Sequence, residues 1–396
     1  MKSYQLFTNE IDDLDLAVAE LRKQYDLLEF TSNTGGILYC GSEVDSNELC
    51  QKLWTEFHLP FIGTTCIGQF TNHGYSEASI CLNLFTGEDI SFSGGLSGDL
   101  TSENMAEEVK EAYHNLKERM DKPEKAIVLY IPWVDGVVYD DILNALTEAS
   151  GGIPIFGGVC SDEWEFDNTY AMCSMGSFTN RAAMLLVGGN FNPIFYTTHS
   201  INTSANVNTV TVTKASGATV YEIDGKPANE YFKSIGFHFE YKNIFVDSLA
   251  NPMKFTYTTP EGDHLSILRN LYQADYETGS ITFAGGVPEN AQMSLALTSM
   301  ITIRSSIKEA CVKIFEELNQ DSEREYSCIL VSSCTGRYCL SVANKDTECG
   351  ALKSILDDKI LVSGGYMNGE FCPVKGNKTG KYYNLLNNDT FTIMVF

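Results

Sequence analysis

The chain has 396 residues, enough for two domains of ordinary size, and 43% of them are hydrophobic, a share typical of globular proteins. The 52 acidic and 27 basic residues give a formal net charge of −25. Phosphate backbones are bound through Lys and Arg, so this charge excludes nucleic acid and anionic membrane surfaces as expected partners. There is no secretory signal and no apolar run near the ~20 residues that a membrane span needs. We therefore expect a cytoplasmic protein without membrane insertion.

A weakly similar unit occurs three times along the chain. Each copy has an apolar strand, a helix, a second apolar strand that ends in small residues, and a closing strand. The three copies, element by element, are 37–39, 48–57, 60–65 and 78–84; then 127–130, 139–149, 154–158 and 182–187; then 329–331, 348–356, 361–365 and 391–396. Short apolar strands followed by helices favour sheets covered by helices. The sequence thus predicts a mixed α/β (α+β) fold of repeated strand–helix–strand units in two associated domains.

Other elements lie between and after these units. A helix is predicted over 102–120, with Ser102 as its N-cap. The segment 202–214 is polar and then alternating, which indicates a linker followed by a strand and a domain boundary. Asp224-Gly225 predicts a hairpin turn, and Pro227 suits the start of a short helix. A second amphipathic helix is predicted over 303–318.

The second strand of each unit ends in residues that could approach a ligand closely. Glycine tolerates close backbone contact and positive φ, and strand ends in sheets of this kind are where ligands collect. Tight turns alone would also explain the pattern. The residues are Gly63, Thr64 and Thr65 in the first unit, Gly157 and Gly158 in the second, and Gly364 and Gly365 in the third.

An ordered set of short motifs resembles the FIST family. The segment 220–232, with its Asp-Gly-Lys-Pro-Ala turn, is similar to the opening of the FIST C domain. Further similarities lie at 279–289, 333–337 and 364–370, and those at 60–68 and 155–162 are similar to the glycine turns of the FIST N domain. The resemblance implies a FIST N-like domain over 1–213 and a FIST C-like domain over 214–396.

The resemblance also implies a function. FIST domains are signal-input domains proposed to bind small ligands, usually amino acids, and some are reported to bind haem and respond to nitric oxide. We expect a sensor, not an enzyme, that signals through a separate protein such as a histidine kinase, cyclase or chemoreceptor. No cofactor is predicted. If haem were bound, His73 or His238 would be the candidate ligand, but neither is in a zinc-like spacing.

Several side chains could carry the binding chemistry. The guanidinium of Arg337 can hold a ligand carboxylate through two hydrogen bonds, although a structural ion pair would use it equally well. Tyr366 and Glu370, in the closing turn, are further candidate ligand-binding residues, and Glu370 could accept a ligand ammonium or pair with Arg337 itself. Asp162 could serve in the same way.

Cys334 adds an enzymatic alternative. It lies three residues before Arg337, whose positive charge could activate the thiol, but a nucleophilic cysteine also needs a nearby base. The Cys-Thr-Gly-Arg spacing lacks the longer phosphate-cradling loop of thiol phosphatases. A thiol-dependent enzyme stays open as an alternative. The other cysteines lie mostly in apolar stretches, which is typical of reduced, buried thiols.

Overall fold

The computed structural model describes residues 1–201, 208–237, 248–318, 326–341, 344, 346–356 and 360–396. Its strands form three six-stranded sheets and one eight-stranded sheet, on which the helices pack. The predicted mixed α/β fold is confirmed. Within these described ranges, no helix has both the length and the apolar character required to cross a bilayer.

The first sheet is built mainly from the first unit. Two amphipathic helices, α1 (Leu14–Tyr25) and α2 (Ser46–Phe57), bury their apolar faces against it. In order, its strands are β1 (Lys2–Thr8), β6 (Ile80–Thr86), β2 (Thr34–Cys40), β3 (Phe61–Thr65), β10 (Ala171–Cys173) and β11 (Gly176–Phe178).

The second sheet follows the same plan, covered by α3 (Met105–Lys117) and α4 (Tyr139–Ser150). The predicted start of α3 is wrong, because the helix begins at Met105 and Ser102 does not cap it. Asn104 precedes the helix, and its side chain accepts from the main-chain N–H of Thr101 at 2.7 Å. The strands are β7 (Ile90–Leu96), β12 (Ala183–Gly189), β8 (Glu124–Ile131), β9 (Ile155–Val159), β24 (Glu370–Lys375) and β25 (Tyr382–Asn387).

The third sheet packs against the long helix that was predicted over 303–318. The helices beside this sheet are α6 (Met300–Leu318), α7 (Thr335–Leu340) and α8 (Thr347–Ile355). In order, its strands are β13 (Ile194–His199), β26 (Thr390–Val395), β22 (Cys328–Cys334), β23 (Leu361–Met367), β4 (Ile67–Thr71) and β5 (Gly74–Ser76).

The eight-stranded sheet carries the predicted hairpin. Ile223 pairs with Lys226 across Asp224 and Gly225, whose φ angles are 50° and 75°. The helix after it is α5 (Ala228–Ser234), as expected. The strands are β18 (His264–Arg269), β17 (Met253–Thr258), β21 (Gln292–Leu295), β14 (Val210–Ser216), β15 (Thr219–Ile223), β20 (Ile281–Phe283) and β19 (Leu271–Ala274), with β16 (Lys226–Pro227) beside β15. The predicted boundary after residue 213 falls inside β14 and stays a prediction. Residues 202–207 of the predicted linker lie outside the described ranges.

The three six-stranded sheets are linked by exchanged hairpins. In each sheet, two parallel strands of one unit are extended by a hairpin that belongs to another unit. The hairpin after β3 extends the third sheet, the hairpin after β9 extends the first, and the hairpin after β23 extends the second. No unit can therefore leave the others without breaking a sheet.

Two equivalent glycines allow the parallel strands to pack. Gly157 has φ 143°, and a Cβ there would lie 1.9 Å from the carbonyl oxygen of Leu129 on the neighbouring strand. Gly364 has φ 150°, and its Cβ would lie 1.9 Å from the carbonyl oxygen of Val331. At these two positions, the atoms that approach the glycine closely are main-chain atoms of the neighbouring strand and not those of a ligand. A role for them in ligand binding stays a prediction.

Gly157→Ala is expected to lower the free energy of unfolding by more than about 4 kcal/mol, or to prevent folding, because main chain would have to move. Gly152→Ala is the matched control. Gly152 also has positive φ, 91°, but no atom lies within 4 Å of its Cβ position, so the cost should be about 1–2 kcal/mol. Urea unfolding of both variants measures the difference, and equal losses would contradict the packing explanation.

Candidate ligand-binding site

The strand ends singled out from the sequence meet in one region. The Ser161 hydroxyl donates to the carbonyl of Tyr366 at 2.6 Å and accepts from the main-chain N–H of Ile67 at 3.0 Å. The Asn368 side chain donates to the carbonyl of Cys160 at 3.0 Å. Residues of all three units are thus hydrogen-bonded to one another where the second strands end.

Some predicted site residues at this junction already form hydrogen bonds with main-chain groups of the protein. The hydroxyl of Thr64 donates to the carbonyl of Thr65, and the hydroxyl of Thr65 accepts from the N–H of Tyr170. The carboxylate of Asp162 accepts from three successive main-chain N–H groups, 166–168, each at 3.0 Å. These contacts explain the polar residue types without a ligand, and a binding role for them stays a prediction.

Arg337 forms a buried ion pair, the structural alternative considered above. Its side chain is 0% exposed, and its Nε and Nη2 lie 2.8 and 2.6 Å from one carboxylate oxygen of Glu348. Nη2 also donates to Ser306, and the second oxygen of Glu348 accepts from Ser333. The guanidinium lies 5.7 Å from the ring centre of Phe391. The acidic partner is Glu348 on α8 and not Glu370, so only Nη1 is left without a hydrogen-bond partner among the described residues.

A polar cluster lies at the end of β22, where we group Cys334, Glu370 and Asp389. All three are buried, and both carboxyl groups are 0% exposed. One oxygen of Glu370 accepts from the hydroxyl of Thr390 at 2.6 Å, and its Oε1 has no partner. Neither oxygen of Asp389 has a partner within the described ranges. A Cβ on Gly336 would lie 2.8 Å from Asp389 Oδ1 and 3.5 Å from Cys334 Sγ, which places these groups around one point.

Burial governs the ionisation of the polar cluster. It raises the pKa of Asp389 to about 7, although the side chain of Asn270 and the charge of Arg337 act in the opposite direction. Burial also raises the pKa of Glu370, and the neighbouring Asp389 adds to that shift. The pKa of the Cys334 thiol is raised by burial and by both carboxyl groups. Unpartnered buried polar atoms each cost about 1–3 kcal/mol, so three carboxylate oxygens of this kind in a native protein require an explanation.

Comparison of the three hairpins singles out Glu370. Glu370, Gln69 and Ala171 occupy equivalent positions, each paired with the second small residue of a strand end. The side chain of Gln69 bonds the hydroxyl of Ser79 as Glu370 bonds that of Thr390. In the other two hairpins this position holds an amide side chain, that of Gln69, and a methyl side chain, that of Ala171. The fold therefore does not require a carboxyl group there.

Comparison with known families identifies the chain. A model of the FIST N domain matches residues 34–226, and a model of the FIST C domain matches residues 231–373. The chain belongs to the FIST family. FIST domains are generally sensory, ligand-binding domains of signal transduction. The polar cluster draws Cys334 and Glu370 from the FIST C match, and Asp389 from the residues that follow it.

Other similarities are more distant. The uncharacterized protein MJ1623 of Methanocaldococcus jannaschii is 26% identical over 190 residues, which cover 47% of this FIST chain and 36% of that protein. The chain thus matches little more than a third of the length of that relative. A chorismatase structure and a cyanuric acid hydrolase structure from A. caulinodans cover 99% and 100% of the chain, at 10% and 9% identity. Their TM-scores are both 0.37, so neither bears on the activity of this chain.

Sequence reasoning missed Asp389 as a site residue in this FIST protein. Asn388-Asp389 precedes the last strand, and such a pair is typical of an exposed turn. Asp389 does have a turn-like φ of 55°, yet it is fully buried. Its burial depends on the packing of the third unit against the eight-stranded sheet and has no local signal in the sequence.

Of the two candidate haem histidines, His73 lies within the described residues. The ring of His73 packs 4.9 Å from that of Phe7, and His238 lies outside the described residues. In the part of the chain that the structure describes, no three His, Cys, Asp or Glu side chains are grouped as metal ligands would be.

Proposed function

We propose that this FIST protein is a non-enzymatic sensor whose small ligand places a protonated amino group in the polar cluster. The observation that carries the proposal is a set of three buried carboxylate oxygens that have no hydrogen-bond partner among the described residues. They are Oε1 of Glu370 and both oxygens of Asp389. An ammonium group has three N–H donors and no acceptor. Its donors and its charge both complement the cluster.

Nη1 of Arg337, the donor that is left over, limits which other group the ligand can carry. Nη1 of Arg337 is the one guanidinium nitrogen without a partner, and the charge of Arg337 acts on both Glu370 and Asp389. A ligand carboxylate could accept one hydrogen bond there, while Glu348 keeps the other nitrogens. An amino acid carries both of the groups that this arrangement would bind. A carboxylate ligand without an amino group is disfavoured, since Glu348 already neutralises Arg337 and the cluster itself is acidic.

The Cys334 thiol supports a binding role over a catalytic one. A nucleophilic cysteine needs a lowered pKa, and burial beside two carboxyl groups raises that of Cys334. All twelve cysteines are free thiols, which accords with a reducing compartment such as the cytoplasm. In this proposal the bound state is passed to a separate signalling protein, for which a histidine kinase, a cyclase or a chemoreceptor are candidates.

Thermal shift and calorimetry with the common amino acids test the proposal, with propionate and ethylamine as partial analogues of alanine. We expect at least one amino acid to raise the melting temperature, because a ligand that binds only the folded state stabilises it. Glu370→Gln should weaken binding by about 10-fold or more, the equivalent of losing one charged hydrogen bond. The fold should survive, because Gln69 occupies the equivalent position.

Glu103→Gln is the matched control, since Glu103 is exposed and is not part of the cluster. It should leave affinity unchanged. Equal binding of propionate and the amino acid, or an unchanged affinity in Glu370→Gln, would refute the ammonium site.

A further inference from the structure

A cavity separate from the polar cluster lies between the two FIST parts of the chain. Its volume is about 200 Å³. The FIST N side contributes the loop 133–139 and Val159, and the FIST C side contributes Tyr272, residues 282–285 and Asn368. An apolar cavity of about 150 Å³ can hold benzene, so this one has room for a single substituted ring.

The walls of this cavity combine aromatic and aliphatic side chains. Its lining includes Trp133, Tyr139, Tyr272 and Phe283. The rings of Trp133 and Tyr272, which come from different FIST parts, have centres 5.7 Å apart. Aromatic rings prefer offset or edge contacts with another ring at such distances. A planar ring packed beside this pair would therefore gain contacts with both parts of the chain.

The polar groups of the cavity are few and matched to an amide. Asn368 lines it, and its side chain donates to the carbonyl of Cys160 and accepts from Thr335. An asparagine amide has two donors and two acceptor sites, so one of each remains. Asp135 is the one charged residue that lines the cavity in the described part of the chain, and it is exposed. Its charge disfavours anions.

We infer that this cavity binds a small, uncharged planar ring compound that carries a carboxamide or a similar donor–acceptor group. The ring lies among Trp133, Tyr272 and Phe283, and the amide pairs with Asn368. Because the walls come from both FIST parts, the occupant fixes their relative position. The hydroxyl of Thr335 donates to Asn368 Oδ1 at 3.2 Å and helps to orient that side chain.

Benzamide tests the inference in the full-length protein with Trp54→Phe and Trp164→Phe, so that Trp133 alone reports by fluorescence. We expect a saturable change with a Kd of about 1 mM or tighter, as ligand efficiencies for nine heavy atoms allow. Cyclohexanecarboxamide, which is not planar, and benzoate, which is charged, should each bind about 10-fold more weakly.

Filling the cavity should remove the site. Ala218→Leu and Ala284→Leu place larger side chains at lining positions, and each should weaken benzamide binding by about 10-fold or more. Ala19→Leu, on the exposed face of α1, makes the same change elsewhere and should have no effect. Glu370→Gln should also leave benzamide binding intact, which separates this site from the proposed sensor site.

Absence of saturation with benzamide, or unchanged binding in a filled variant that melts like the parent, would overturn the inference. If both filled variants unfold, the ranking of the three probes decides. Equal binding of benzamide and cyclohexanecarboxamide would then exclude a planar ring site.

Discussion

Asp389→Asn is expected to stabilise the folded protein at pH 8 and to abolish its response to an amino ligand. Burial raises the pKa of Asp389 from 3.8 to about 7 in the folded state. The unfolded chain therefore ionises first as pH rises, and the folded state loses stability between about pH 4 and pH 7. Above that window the charged Asp389 destabilises the fold by roughly 2–4 kcal/mol, which an uncharged Asn removes. Asn also tolerates the positive φ at this position.

Chemical unfolding at about pH 4.5 and at about pH 8 measures this effect, because the gain should be small at the lower pH. Asp224→Asn is the control, since Asp224 is exposed and also has a positive φ, 50°. It should show no comparable gain at pH 8. A gain of equal size at both pH values, or none at pH 8, would contradict the assigned ionisation of Asp389.

The ionisation of Asp389 bears directly on the sensor hypothesis. Among the described residues, the burial of this carboxyl group is offset only in part by the side chain of Asn270 and the charge of Arg337, so the fold itself does not account for it. Ligand binding would account for it, because an ammonium group would both partner the oxygens and favour their ionised form. The affinity for such a ligand should accordingly fall as pH decreases below about 7.

The sequence predicted the local elements of the fold well because they have local signals. The apolar strands, the Asp224-Gly225 turn and the long helix of the third sheet were all placed from residue pattern alone. The exchanged hairpins were not predicted. Glu370 pairs with Gly158, more than 200 residues away in the chain, and no local pattern records such a pairing.

The site was predicted only in part for a similar reason. Glycines at strand ends are compatible with a close ligand or with a close neighbouring strand. Only the distances at Gly157 and Gly364 show that the neighbouring strand is the close one at these positions. Arg337 was singled out from the sequence as a cation that could bind a ligand carboxylate or form a structural ion pair, but its partner Glu348 lies on a helix whose packing the sequence does not specify. Buried polar atoms that lack hydrogen-bond partners can be identified only from the three-dimensional structure, in which all their neighbours are known.

Removing one partner of the Arg337–Glu348 pair should lower the free energy of unfolding strongly. Glu348→Ala leaves a buried guanidinium uncompensated, which costs about 3–5 kcal/mol. Arg337→Ala leaves the Glu348 carboxylate buried without its partner and should lower the free energy of unfolding by a similar amount. Replacing both, as Arg337→Met with Glu348→Leu, should recover most of the loss, because two apolar side chains of similar volume can substitute for a buried ion pair. Unfolding in guanidinium chloride gives the three values.

This double replacement also separates the two roles of Arg337. If the residue serves the fold alone, the double variant will fold and bind an amino acid with unchanged affinity. If Nη1 also holds a ligand carboxylate, the double variant will fold but bind about 10-fold or more weakly, the loss expected for one charged hydrogen bond. A single variant could not distinguish these roles, because its instability would lower binding in either case. A small stability loss in Glu348→Ala would instead mean that water already reaches the guanidinium, against its 0% exposure.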